Sequence, residues 1–122
     1  MEFTMPDERM IRKFFEIFSA HDLEKMKDFF AEEAEFYFPK AQPLLGRKRI
    51  LKFFKILFRQ YPDLKFKVRR IIIQEDAAAI HWTNKGVSRN KETYENEGAT
   101  IMETENGKIS FITDFFKNTE KF

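Results

Sequence analysis

Apolar residues recur at helical spacing through the first half of the chain, and from Lys65 onward the period falls from 3.6 to 2. Thr4 followed by Asp7 reads as a capping-box-like start, and Pro6 suits a first turn, which predicts a helix over about 5–19. Met10, Ile11, Phe14, Phe15, Ile17 and Phe18 form its apolar stripe. Ser19-Ala20-His21 interrupts the stripe, and Asp22 is the expected N-cap of a short second helix carrying Leu23, Met26, Phe29 and Phe30. Residues 33–38 alternate as a strand, with Phe36 and Phe38 on one face and Tyr37 on the other. Pro39 to Gly46 reads as a loop, and a third helix follows over about 47–60. It turns Ile50, Leu51, Phe53, Phe54, Leu57 and Phe58 inward and Lys52, Lys55 and Arg59 outward, and Tyr61-Pro62-Asp63 stops it.

Phe66 and Val68 alternate with Lys67 and Arg69 until Ile71-Ile72-Ile73 breaks the pattern, which predicts a bulge or a stretch covered on both faces. A turn at Glu75-Asp76 leads into a strand, AAAIHWTNKG, and a loop near 87–90 leads into a long strand over about 91–104. Asn106-Gly107 is a hairpin signal because both positions accept positive φ. The closing strand KISFITDFF is expected to place Ile109, Phe111 and Phe115 on one face and Ile112 and Phe116 on the other. Helices followed by hairpin-linked strands predict an α+β fold, one domain over 1–122, with no repeat and no linker.

Composition sharpens this picture. Sixteen Phe in 122 residues demand a dense core, a lined cavity or a sticky surface. The absence of Cys excludes disulfides, thiolate metal sites and a cysteine nucleophile, and the two His, at 21 and 81, lie far apart in sequence. With no glycine-rich phosphate loop and no metal-ligand spacing, no cofactor and no metal are expected. The charged start MEFTMPDERMIRK lacks the apolar run of a signal peptide, and no stretch approaches a membrane span, so a cytoplasmic setting away from membranes is expected. Ten basic residues between Arg47 and Arg70 face only Asp63 as an acid, which raises a nucleic-acid or anion partner as one reading. The other reading is a solvated face balanced by the acidic stretch from Glu92 to Glu105; the net charge of +2 favours this second reading.

Four stretches in order, HDLEKMKDFFAEEAEFYFP, GRKRILKFFKILF, AIHWTNKG and YENEGATIMETENGKISFITDFF, resemble the SnoaL-like branch of the nuclear transport factor 2-like superfamily. The resemblance implies a cone, a curved mixed and largely antiparallel sheet wrapped by three N-terminal helices around an apolar pocket, as in cystatin-like rolls. It also implies homodimers through the convex face, a covering that apolar residues on both faces of the closing strand independently ask for. In the polyketide-cyclase and epoxide-hydrolase branches, an Asp matching Asp114 within an RDYF-like motif takes part in acid/base chemistry. Here the motif reads TDFF, with Thr113 and Phe115 in place of the family's Arg and Tyr. The epoxide-hydrolase branch carries Arg and Asp near the positions of Trp82 and Asn84, a departure that argues against epoxide hydrolysis.

Asp114 is therefore the candidate acid/base, since a carboxyl among apolar neighbours holds its proton more tightly. The competing reading is a carboxylate that hydrogen-bonds backbone at a pocket floor. Trp82, Asn84 and Tyr94 are candidates to orient a substrate, and Phe36, Phe38, Phe53, Phe54, Met102 and Phe116 to line the pocket, unless these rings fill the core completely. His81 is expected on the convex face and His21 in solvent at the helix joint. The function expected is binding of a small apolar, carbonyl-bearing molecule, with isomerase, cyclase or hydrolase chemistry. The alternative is a non-catalytic ligand-binding or dimerisation module with a closed pocket.

Overall fold

The computed structural model describes residues 6–121. Helix α1 spans Glu8–Ser19 and is capped by Asp7, whose carboxylate accepts from the Met10 N–H at 2.7 Å. The cap is therefore Asp7 itself; Thr4, its expected partner, lies outside the described residues. The chain turns at His21, with φ 58°, into α2 (Leu23–Lys27), capped by Asp22 through the Lys25 N–H at 3.1 Å. Phe29 and Phe30 do not continue α2, because strand β1 (Phe30–Tyr37) begins there. The expected loop holds a two-residue strand β2 (Leu44–Leu45), and α3 (Arg47–Gln60) starts directly after Gly46.

Four long strands follow: β3 (Lys65–Gln74), β4 (Ala77–Val87), β5 (Thr93–Glu105) and β6 (Lys108–Phe116). They join β1 and β2 in one six-stranded sheet of order β2-β1-β6-β5-β4-β3, in which only β1 and β6 run parallel. The sheet is open and curved, and α1 and α3 pack on its inner face, α1 against β3 and α3 against β1. None of the described helices is long and apolar enough to cross a membrane.

The core is a web of rings. Phe18 meets Phe54, Phe58 and Phe66 with centroids 5.0 Å apart in each case, all near edge-to-face, the arrangement that aromatic quadrupoles prefer. Trp82, on β4, is fully buried and lies edge-on between Phe66 at 4.8 Å and Phe116 at 5.1 Å.

Two bulges decide which side chains enter this core. On β3 the register slips between Val68 and Arg70, so Val68 and Ile71 both turn inward opposite Trp82 and Ile80. The bulge half of the expectation for Ile71–Ile73 therefore holds, but no described element covers a second face, and Ile72 and Ile73 remain exposed on an edge strand. On β6 Ser110 is an extra residue: Thr104 pairs with Ile109, whereas Glu103 pairs with Phe111. The slip sends Ile109 to the inner face with Ile112, rather than outward with Phe111 and Phe115 as strict alternation predicts.

Gly98 on β5 lies opposite Trp82 on one side and Phe116 on the other. A Cβ there would stand 2.3 Å from the Phe115 carbonyl oxygen and 2.8 Å from the Trp82 ring. The backbone oxygen cannot swing aside as a side chain can. Gly98→Ala is expected to destabilise the fold by about 1–3 kcal/mol, the usual cost of overpacking, read as a lower urea midpoint. An unchanged midpoint would mean that the sheet is not held at this approach.

Candidate functional site

The Asn106-Gly107 turn, with φ 53° and 80°, folds β6 back on β5. Had the strands stayed in simple register from that turn, Asp114 would face Ala99; the Ser110 bulge moves it by one residue, opposite Thr100. Asp114 thus lies on the inner face between Ile112 and Phe116. The Thr100 hydroxyl donates to Asp114 Oδ1 at 2.6 Å, and the Trp82 indole Nε1–H donates to Thr100 Oγ1 at 2.9 Å. Burial strips water from the carboxyl and pushes its pKa from 3.8 up to about 7, while the Thr100 hydrogen bond pulls the other way by favouring the charged form.

Asp114 borders a cavity of about 60 Å³. Its walls come from Phe18 of α1, Phe54 and Leu57 of α3, Phe66 of β3, Phe116 of β6, and Phe38, Tyr61 and Leu64 at element ends. Its polar groups are Asp114, Asn84 and Tyr94. Asn84 is buried, and among the described residues its Oδ1 has no hydrogen-bond partner. Tyr94 accepts from Asn96 Nδ2 at 3.2 Å and stacks at a tilt on Tyr61, and burial pushes its phenol pKa upward. Asn96 also holds the chain after β6, donating to the Asn118 carbonyl at 2.8 Å and accepting its N–H at 3.2 Å.

Of the residues singled out in the sequence, Asp114, Asn84, Tyr94, Phe38, Phe54 and Phe116 border this cavity. Trp82, Phe36 and Met102 do not: they are fully buried behind it in the core, and Trp82 is linked to Asp114 by hydrogen bonds through Thr100. Phe53 packs on Phe36 and Phe38 beside it. Sequence reasoning missed Phe18, Leu57, Tyr61, Leu64, Phe66 and Thr100. Phe18, Leu57, Tyr61 and Phe66 belong to the apolar stripes and helix stop already read, but no period distinguishes a cavity wall from a core.

His81 lies on the outer face as its alternation with Trp82 requires, bonded to Glu97 at 2.6 Å. That bond, followed by Lys117, holds the Glu97 carboxyl below its usual range. His21 is not solvated: it is half-buried, its ring stacks on Phe58 at 4.0 Å, and its Nε2 lies 2.8 Å from the Leu64 carbonyl oxygen. The basic run does not form one surface, since Lys65, Lys67 and Arg69 line the outer face of the sheet while Lys52, Lys55 and Arg59 project from α3 on the other side. A broad depression of about 980 Å³ on that outer face mixes these cations with Lys85, Glu95 and Glu97. Among the described residues no three His, Asp or Glu side chains group as metal ligands.

The fold has many solved counterparts. A nuclear transport factor 2-like protein of unknown function from Exiguobacterium sp. 255-15 superposes with a TM-score of 0.80 at 20% identity, over 89% of this chain and 98% of that one. A protein with a ketosteroid isomerase-like fold from Catenulispora acidiphila, solved with trimethylamine, gives 0.85 at 11% identity over 95% and 91%. A candidate SnoaL-like polyketide cyclase from Jannaschia sp. CCS1 gives 0.77 at 14% identity over 88% and 82%. No curated protein matches the chain. The family model described as SnoaL-like domain matches residues 11–112, most of the sequence, and the chain belongs to that family.

Proposed function

We propose that this chain binds a small apolar, carbonyl-bearing molecule and that Asp114 serves it as acid and base in an isomerase, cyclase or hydrolase reaction. The observation that supports this is a carboxyl set in an aromatic cavity with its pKa raised to about 7. At that value the group is half protonated near neutral pH, so it can give a proton to a carbonyl oxygen and take one from an adjacent carbon. The phenyl walls favour an apolar ligand, and the unpartnered Asn84 Oδ1 offers it an acceptor. Tyr94 completes the polar rim.

One observation favours the alternative of a closed, non-catalytic module. About 60 Å³ has room for a few water molecules, whereas ligand sites run to roughly 300–1,000 Å³. Binding a larger molecule requires the wall formed by Phe38, Leu57 and Tyr61 to part. These residues sit just after β1 and at the last turn and C-cap of α3.

Stability separates a desolvated acid at Asp114 from a structural carboxylate. Asn in place of Asp114 keeps an oxygen for the Thr100 hydroxyl but carries no charge. Because the folded-state pKa lies above the unfolded one, the contribution of Asp114 to stability should be fully present below about pH 4, decline as pH rises through about 7, and level off beyond. Over that window Asp114→Asn should remove the decline, at pH 8 be as stable as wild type or more so by up to a few kcal/mol, and abolish turnover of any carbonyl substrate. If Asp114→Asn is less stable at pH 8 by about 1–3 kcal/mol, the charged carboxylate is structural.

We further propose a homodimer through the outer sheet face. Across the strands Ile72, Ala79 and Ile101 fall in one row, and Ala99 and Phe115 in the next, with Phe115 58% exposed. Contiguous exposed apolar residues of this kind mark interaction surfaces. Sedimentation at micromolar concentration should give about twice the 14.8 kDa monomer mass, and Phe115→Lys should give monomer. A monomeric wild type removes the proposal.

A further inference from the structure

Trp82 lies behind the cavity rather than in it, yet it is joined to Asp114 by two hydrogen bonds in series, and the direction of those bonds is fixed. An indole N–H can only donate, so Thr100 Oγ1 must accept from Trp82. A threonine hydroxyl has one hydrogen. Its acceptor is Asp114 Oδ1, 2.6 Å away, within the range of hydrogen bonds to carboxylate. Reversing the second bond, with a protonated Oδ1 donating to Thr100, would leave the threonine hydrogen with no acceptor among the described residues. Thr100 is only 2% exposed, so water would not replace it. The neutral carboxyl therefore keeps its hydrogen on the other oxygen.

From this chain of donors we infer that Trp82 is a positioning residue: acting through Thr100, it holds Asp114 Oδ1 as an acceptor and confines the exchangeable proton to Oδ2. The inference rests on the proposed role of Asp114 and deepens it. The reactive atom becomes Oδ2, and the substrate must present an acceptor oxygen to it. Among the described residues Oδ2 accepts no hydrogen bond. The other groups facing the cavity do not compete. Phe18, Phe54, Leu57 and Phe38 bring no charge, and the titratable neighbours are Tyr61 and Tyr94. Tyr94 is pushed above its ordinary 10.0 and so stays neutral throughout the relevant range. His81, Glu97 and Lys117 lie on the opposite face of the sheet.

The chain has a single Trp, so its indole N–H gives one assignable NMR resonance. In the full chain that resonance should move with pH at the midpoint measured for the Asp114 carboxyl carbon, near 7, and should stop moving in Asp114→Asn. Thr100→Val should break the relay. The indole resonance would no longer follow Asp114, and the Asp114 midpoint would rise by about one pH unit, a tenfold gain in proton affinity. Thr100→Ser should restore both. Trp82→Phe should also raise the midpoint, but not when Thr100 is already Val, since its effect passes through that hydroxyl. A merely structural Trp82 and Thr100 would lower the melting temperature and leave the midpoint of Asp114 at its wild-type value. An unchanged midpoint in Thr100→Val, or an indole resonance indifferent to Asp114, overturns the relay. Neither outcome depends on a ligand or on turnover, so the relay can fail while the acid/base reading stands, and the reverse.

Discussion

Where Asp114 points depends on one extra residue. Ser110 offsets β6 from β5 by a single position, and a one-residue slip in a strand pair carries every side chain beyond it to a new partner. With the slip, Asp114 meets the hydroxyl of Thr100, and Ile109 joins Ile112 in the core. Without it, the carboxyl would lie opposite Ala99 with no donor to receive it. The bulge is anchored on both sides. The Ser110 hydroxyl reaches the Glu103 carbonyl at 3.3 Å, and the Ile109 N–H donates to Phe29 O at 2.7 Å, where β1 begins its own irregularity between Phe30 and Glu35.

Around that offset the aromatic core supplies the low-polarity surroundings. Edge-to-face rings from α1, α3 and β3 line the cavity beside the half-buried carboxyl and limit the water that can solvate its charge. The energy released by packing these rings sustains a group that would be more stable elsewhere. One hydrogen bond from Thr100 recovers part of that loss and, held in direction by Trp82, sets the orientation of the carboxyl. Gly98 lets the strands approach closely enough for Trp82 to occupy this position. Fold and site therefore share the same few contacts.

The sequence discloses the fold more fully than the site, for reasons visible in particular residues. Helix α3 falls where its apolar stripe and its Tyr-Pro-Asp stop place it, and the Asn106-Gly107 turn lies where positive φ is affordable. Trp82, Asn84 and His81 take the faces that strand alternation assigns. Periodicity is silent on what breaks it. Leu44-Leu45 is too short to show a period, the Ile71–Ile73 run allows a bulge or a second cover, and Ser110 carries no signal that it will be skipped. Asp114 was legible as a carboxyl among apolar neighbours, whereas its partner Thr100 was hidden by the bulge. The size of the cavity was hidden too, since sixteen Phe can line a space or fill it, and only the rotation of each ring decides.

The central claim is that Asp114 holds a proton inside the fold at a pH where an exposed Asp has lost it. Infrared difference spectroscopy of wild type minus Asp114→Asn at pH 6 reads this directly. The account predicts the carbonyl stretch of a protonated carboxylic acid in wild type, absent from the variant, and fading as pH passes about 7. A carboxylate signal alone at pH 6, with no protonated band, would contradict it.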